Sequence, residues 1–398
     1  MKTTVIICEY NPFTNGHLKH LRIAREETGA DTVICIMSGS FTQRGDAAIL
    51  DKYQRAEVAT RLGADMVVEL PLIYAISPAD NFAYGAIKTM SALPHVEYLS
   101  FGSECGNIDL LNKTVDFFEN EPIEYKQLLA KYQDLGYSYP KSVSLAMKEF
   151  CAQNPKFADI KDIADSPNNT LALAYIKAIR KLGLNVKLHT VKRAEDYNSD
   201  SMDCEYPSAS AIRLALRRER FDEVKQHVHP YCYNYLTEIK SDGLALNDLC
   251  LFKMKSVNGY ALADYYDVDS DGGLHNRLKI AAGESVTFDE FLEKAKTKKY
   301  TMSRIKRISL YTLFDITKQM YKDAVACPPH VYVLSLNKLR KDILTELNNF
   351  CANVLVRYSD INKVDKRLRF LIKLDWQAQG TLNLINRTQC FTKSMLLV

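Results

Sequence analysis

Thr3 to Cys8 is a short run of β-branched and apolar residues that leads straight into Glu9-Tyr10-Asn11-Pro12-Phe13-Thr14-Asn15-Gly16-His17, and helical spacing begins at Leu18. This strand, loop and helix constrain the fold more than any other feature of the chain. A strand followed at once by a helix cannot turn back as a hairpin, so the next strand returns in parallel. The pattern then repeats: Leu18 to Thr28 and Lys52 to Leu62 read as helices, Thr32 to Met37, Met66 to Leu70 and Val96 to Phe101 as buried strands. Gly29 and Gly63 follow the helical stretches, where a left-handed cap is expected.

The spacing predicts a helical insertion over residues 122–157, rich in Lys, Glu, Gln, Leu and Tyr, after which the sheet resumes. Asn168 to Leu182 reads as a helix, Asn185 to Val191 as a strand, and Ser208 to Arg220 as a Ser-capped basic helix. Beyond residue 220 the periodicity is mainly helical, with one β-like run at His330 to Leu334. The expectation is an α/β fold in two parts: a parallel-sheet domain over 1–220 and a mainly α-helical domain over 221–398.

The length of 398 residues suits two domains, and 47% hydrophobic with 25% charged residues excludes disordered and collagen-like classes. A net charge of +4 is too small to demand a polyanionic partner by itself, so local clusters have to carry any nucleic-acid argument. No apolar run approaches the ~20 residues that span a bilayer, and a cytoplasmic protein with reduced thiols is expected. The cysteines are too scattered for CxxC or zinc-knuckle spacing, and no metal site is expected.

The loop from Glu9 to His17 is where chemistry is expected. Free NH groups and the positive dipole end of a helix, placed at the carboxyl end of a parallel strand, suit a phosphate. Gly16 lets a nucleotide approach the backbone. His17 in the first helical turn can donate to a phosphoryl oxygen that gains charge as pyrophosphate leaves, and Thr14 can add a hydroxyl. The bland alternative, an ordinary loop with a helix-start histidine, does not explain why motif, strand and helix fall in register.

These residues resemble the T/HxGH nucleotidyltransferases and, within them, the tRNA(Met) cytidine acetate ligase family. The likeness extends in order through Ser38-Gly39-Ser40-Phe41-Thr42-Gln43-Arg44-Gly45, Gly63 to Pro71, Phe101-Gly102-Ser103-Glu104 and Ser166 to Leu171. It is continuous to about residue 215 and looser beyond. Members of the family often carry His where Thr14 stands, which leaves the effect on rate open. The resemblance implies a Rossmann-like nucleotidyltransferase domain, with His17 and Thr14 catalytic. It implies ATP contacts from Cys8, Glu9, Tyr10, Asn11, Pro12, Phe13, Asn15, Gly16 and His20, completed by Gly102, Asn168 and Arg193. Ser208-Ala209-Ser210-Ala211-Ile212-Arg213 is similar to the ISSTxIR element of these enzymes, which adds Ser208, Ser210 and Arg213. Out of context, Ser-x-Ser is a common helix cap.

Two other motifs have blander readings. Lys253-Met254-Lys255-Ser256 resembles a KMSKS loop but is one residue short and far downstream. His227, His229 and Cys232 lack a fourth ligand. The basic run Lys294 to Arg307 holds seven cations and no acid. If helical from Ser303, it places Tyr300, Arg304, Arg307 and Tyr311 on one face, an RNA surface that would include Lys298 and Lys299. The opposing reading has Ile305, Ile308 and Leu313 buried and the cations merely solvated. Further basic runs lie at Arg213 to Arg220 and Lys363 to Lys373.

The resemblance implies an ATP-dependent acetate ligase that forms acetyl-adenylate and acetylates N4 of the wobble cytidine of elongator tRNA(Met). Its expected ligands are ATP with Mg2+, acetate and that tRNA, with no membrane and no stable protein partner. The alternatives are a small-molecule adenylyltransferase, which would need no RNA surface, and a non-catalytic ATP- and RNA-binding protein, which would not need an intact Thr14 to His17 loop.

Overall fold

A computed structural model describes residues 1–193, 201–239, 244–269, 271–388 and 394–398. Its strands are β1 (Thr3–Cys8), β2 (Thr32–Ser38), β3 (Met66–Leu70), β4 (Val96–Ser103), β5 (Lys187–Lys192), β6 (Val331–Leu336), β7 (Val354–Leu355) and β8 (Leu396–Leu397). They form one sheet in the order β5-β4-β1-β2-β3-β6-β7, with β8 beside β6. The pairs among β1 to β5 are all parallel, as the strand–helix alternation requires. β2 and β3 are buried along their whole length, which explains their unbroken apolar runs: helices cover both faces.

From β1 the chain moves outward to β2 and β3, then crosses back to place β4 and β5 on the other side. The order therefore reverses between β1 and β4, and the crevice at the carboxyl ends of those two strands is where an open α/β sheet takes its ligand. The Asn15–Thr28 helix ends as expected in a left-handed Gly29, whose NH returns to the carbonyls of Arg25 and Glu26.

The insertion folds as two helices, Ile123–Asp134 and Tyr139–Gln153, and a 3-10 turn at Pro155–Ile160. Its aromatics close around Phe117 of the preceding Ile108–Glu119 helix, which stands 5.0 Å from Tyr125 and 5.3 Å from Phe150 and Phe157 between ring centres.

The carboxyl half is mainly helical, yet residue 220 marks no break in the sheet. β6 pairs antiparallel with β3, so the sheet is mixed and its far edge comes from residues beyond 330. One apolar core runs from Val5 and Ile34 through Phe314 to Leu371 and Ile385. Asp375, on the Arg369–Ile385 helix, accepts the Leu72 NH at 2.6 Å. Lys52 and Glu69 form a buried ion pair at 2.6 Å, each side chain only 3% exposed. Among the described residues no helix is long and apolar enough to cross a membrane.

Candidate active site

The loop after β1 is held from three directions. Tyr10 takes a left-handed φ of 47°, uncommon for a bulky residue, and the surrounding bonds hold it there. Arg55, fully buried, donates to the carbonyls of Glu9 (2.6 Å), Ser38 (2.9 Å), Leu50 (3.1 Å) and Gly39. Asn11 accepts the Ile49 NH at 2.8 Å, and Glu9 accepts the Gln43 NH at 2.8 Å. Arg213 donates to the Asn11 carbonyl at 2.6 Å and to Ser210 Oγ at 3.0 Å, which ties the Ala209–Arg217 helix to the loop.

Thr14 caps the next helix in a reciprocal box. Its Oγ accepts the His17 NH at 3.3 Å, and its own NH donates to His17 Nδ1 at 3.0 Å. That second bond decides the tautomer. With Nδ1 used as an acceptor, the neutral ring carries its proton on Nε2, and His17 lines the cleft as a hydrogen-bond donor. Burial, helped by the charges of Arg193 and His20, pushes the imidazole down to about 3, so it stays neutral. Burial also lowers His20 to about 4, with His189 and Arg193 contributing.

The cleft opens where the sheet order reverses. Two connected lobes share His17, His20, Gly102, Ala209 and Arg193. Gly102 packs beside Arg193: a Cβ there would lie 3.4 Å from Arg193 Cδ. Asn168 starts the Pro167–Lys181 helix, and both its NH and its amide donate to Glu104 Oε1, at 3.2 and 2.7 Å.

The structure brings Cys8, Glu9, Tyr10, Asn11, Thr14, Gly16, His17, His20, Gly102, Asn168, Arg193, Ser210 and Arg213 to this cleft. Four sequence-predicted residues stand outside its lining. Pro12 and Phe13 are buried beneath the loop, Phe13 edge-on to Tyr10 at 4.6 Å. Asn15 donates to the Gln226 carbonyl at 3.1 Å, and Ser208 caps its helix through the Ala211 NH at 3.0 Å. Sequence reasoning assigned no role to Gln43 and Arg44, although it quoted their stretch, and it missed Tyr206, over whose ring Lys19 Nζ sits at 4.4 Å. Arg55 carried no signal beyond one cation in a helical stretch.

The RNA face expected on the basic run does not form as drawn. Tyr300 and Tyr311 are buried, at 5% and 0% exposure, and cannot stack on bases. Arg304 and Arg307 turn inward to Asp267, at 3.1 and 3.9 Å. Lys298 and Lys299 remain exposed, Lys299 lying 3.6 Å from Asp269. Ile305 and Ile308 are buried and Leu313 is half-buried, as the opposing reading had it. Lys253 of the KMSKS-like stretch pairs with Asp315 at 2.9 Å inside a helix, Leu244–Ser256. His229 caps the Pro230–Leu236 helix and Cys232 is fully buried. Among the described residues no three His, Cys, Asp or Glu side chains converge to hold a metal.

A sheet whose parallel strands reverse order between β1 and β4, a half-buried neutral histidine in the first turn after β1 and an arginine lining the same cleft define a nucleotide-binding α/β enzyme of the nucleotidyltransferase type. The family description HIGH Nucleotidyl Transferase matches residues 1–395, and the chain belongs to that family. Within it the chain belongs with the tRNA(Met) cytidine acetate ligases. The protein of that name from Thermoanaerobacter sp. (strain X514) is 35% identical over 349 residues, covering 86% of this chain and 85% of its own. Its counterpart from Clostridium tetani is 34% identical over 399 residues, covering 97% and 96%. The crystal structure of Thermotoga maritima TmcAL bound with alpha-thio ATP superposes over 100% of both chains, with TM-score 0.88 and 28% identity. The apo form of the same protein gives TM-score 0.90 at 29% identity.

Proposed function

We propose that this chain is an ATP-dependent acetate ligase that acetylates N4 of the wobble cytidine in elongator tRNA(Met), acting on acetate and ATP in the cytoplasm. The observation that carries this reading is the His17 donor, fixed as the neutral Nε2–H tautomer in a cleft that also holds Arg193. In the first step an acetate oxygen bonds to the α-phosphorus, the bond to the bridging oxygen breaks, and pyrophosphate leaves. Donors aimed at oxygens that gain charge lower that barrier most, and His17 Nε2 with the Arg193 guanidinium are placed to do so. Thr14 acts through His17, because its NH and hydroxyl are both engaged with it.

In the second step N4 attacks the acetyl carbon and AMP leaves. Mg2+ accompanying ATP would be held by phosphate oxygens; among the described residues Glu9 is the carboxylate that lines the cleft, and one of its oxygens accepts the Gln43 NH. Of the four cations assigned to RNA, Lys298 and Lys299 are exposed and left to meet its phosphates. The test is pyrophosphate release from ATP with acetate, with and without tRNA, and mass analysis of the tRNA nucleosides. Acetate-dependent release and a cytidine heavier by one acetyl group are expected. Release that needs a different acyl or phosphorylated substrate would favour a small-molecule adenylyltransferase.

A further inference from the structure

The two half-reactions differ in their protons. Acetate enters the first as an anion and gives up none, whereas the N4 amine must lose one as its bond to the acetyl carbon forms and AMP departs. The residues discussed so far do not supply that base. His17 Nδ1 is taken by the Thr14 NH, and Glu9 is tied to Gln43.

Among the described residues, His20 has no hydrogen-bond partner at Nδ1. It lines both lobes of the cleft, and its Nε2 lies 2.9 Å from Ser100 Oγ. Ser100 Oγ lies 2.9 Å from His189 Nδ1, and His189 Nε2 lies 2.9 Å from Glu27. The polarity of this chain follows from its outer end, because an ionised carboxylate only accepts. His189 Nε2 donates to Glu27, so its Nδ1 accepts from the Ser100 hydroxyl, and Ser100 in turn accepts from His20 Nε2–H. What remains on His20 is a lone pair at Nδ1.

We propose that His20 Nδ1 takes the proton from the attacking N4 amine, and that Ser100 and His189 pass the charge on to an ion pair with Glu27. This assignment rests on the acetyl-transfer reading above. The balance closes: His20 gains a proton at Nδ1 and gives its Nε2 proton to Ser100, whose own proton moves to His189 Nδ1. The amine has lost one proton, His20 ends neutral, and the new imidazolium is His189, hydrogen-bonded to a carboxylate.

The relay answers an electrostatic problem. A cation kept on His20 would face Arg193, and burial beside Arg193 and His189 already holds that ring near 4. His189 has its ring at the edge, 13% exposed, next to a Glu27 side chain that is 63% exposed and can give the proton to water. The frame is rigid as well. Ser100 and His189 face each other in register on β4 and β5, while His20 and Glu27 are seven residues apart on one face of the Asn15–Thr28 helix.

The experiment compares wild type with Ser100→Ala and Glu27→Gln in three measurements. These are acetate-dependent ATP–pyrophosphate exchange without tRNA, the dissociation constant for tRNA(Met), and the single-turnover rate of acetyl transfer from preformed enzyme-bound acetyl-adenylate. Exchange and tRNA affinity within about twofold of wild type are expected, with transfer slowed about tenfold or more in both variants. Transfer at the wild-type rate in either variant overturns the relay. Parallel loss of exchange and transfer overturns it too, because that marks a structural role; Glu27→Gln, at the surface, guards against a folding defect at Ser100. A wild-type enzyme that forms acetyl-adenylate but passes no acetyl group to tRNA overturns the functional reading itself.

Discussion

Thr14 and His17 make their contacts to each other by different atoms, and that separates their roles experimentally. The bond that fixes the His17 tautomer comes from the Thr14 backbone NH, at 3.0 Å, so it survives Thr14→Ala. What that substitution removes is the hydroxyl, which accepts the His17 NH and also lies 3.2 Å from His17 Nδ1, a helix cap worth about 1 kcal/mol of stability. His17→Ala removes the Nε2–H donor from the cleft. Loss of one such donor costs roughly 2.7–4 kcal/mol in the transition state, a fall of about 100-fold or more. It also leaves the Thr14 NH without its acceptor and loses the ring contacts to Tyr10 and Phe13, at 5.1 and 5.8 Å between centres.

Acetate-dependent ATP–pyrophosphate exchange, read beside urea unfolding, distinguishes the two variants. Thr14→Ala should unfold earlier while exchanging within about tenfold of wild type; His17→Ala should remain folded and lose about 100-fold or more. Near-wild-type exchange in folded His17→Ala would refute the donor role. Exchange in Thr14→Ala as poor as in His17→Ala, with stability unchanged, would show that the hydroxyl acts on phosphate directly. The pH profile adds a check whose sign is fixed. Burial lowers His17 from 6.5 to about 3, so in the folded protein the charged form is absent from neutral pH down to about pH 4, and no acid limb of exchange between pH 5 and 7 belongs to His17. The same shift means that between 6.5 and 3 the unfolded chain holds a proton that the folded chain does not. His17 therefore withdraws stability as pH falls through 6.5.

Arg193→Ala is expected to raise the dissociation constant for ATP, since a phosphate contact acts in the ground state as well as the transition state; an unchanged constant by calorimetry rules that contact out. Replacing Lys298 and Lys299 with Ala should lower the salt slope of tRNA binding by about one unit or more in filter binding, with exchange unaffected. Arg304→Ala and Arg307→Ala should chiefly lower the melting temperature, because both side chains serve Asp267; wild-type melting with weakened tRNA binding would reverse that assignment. Lys52→Met strands the Glu69 carboxylate, 3% exposed, and should cost about 3–5 kcal/mol in urea unfolding. A loss below about 1 kcal/mol would mean that Glu69 is neutral or finds another partner.

The parallel part of the sheet was legible because its signal is local. Each of β1 to β4 is an apolar run bounded by a helix or loop, and the loop chemistry at Thr14, Gly16 and His17 falls within four consecutive residues. The outer part was not. The Val331–Leu336 strand was readable as extended, but its antiparallel partner, β3, lies more than 260 residues earlier, and no spacing rule joins them. Arg55 was invisible for a related reason: its acceptors are four carbonyls from three separate stretches of chain. The basic run misled because charge count cannot distinguish a cation facing water from one facing a buried carboxylate. Asp267 lies 37 residues before Arg304 and is the group that decides it.

The basic helix, Met302–Leu313, backs the turn that carries the cleft-lining Gln43 and Arg44. Lys306 pairs with Asp46 at 2.9 Å. Gly45, at φ 80°, passes so near that a Cβ there would come within 2.7 Å of Lys306 Cβ and 2.8 Å of the Arg307 nitrogen, so that position needs glycine for space as well as for its backbone angle. Gly45 and Asp46 close the turn that begins at Thr42, through Gly45 NH to Thr42 carbonyl at 3.0 Å and Thr42 NH to Asp46 carbonyl at 3.0 Å. That turn presents the Gln43 NH to Glu9 in the loop after β1. A helix from the carboxyl half thus supports, through one tight turn, a carboxylate that borders the nucleotide cleft. Cutting the chain at residue 220 would strip this support and leave the β3 edge without β6, an unpaired apolar strand edge of the kind that aggregates. The sheet and the support of the loop after β1 both draw on residues beyond 220, so the two halves of the chain do not come apart at that position.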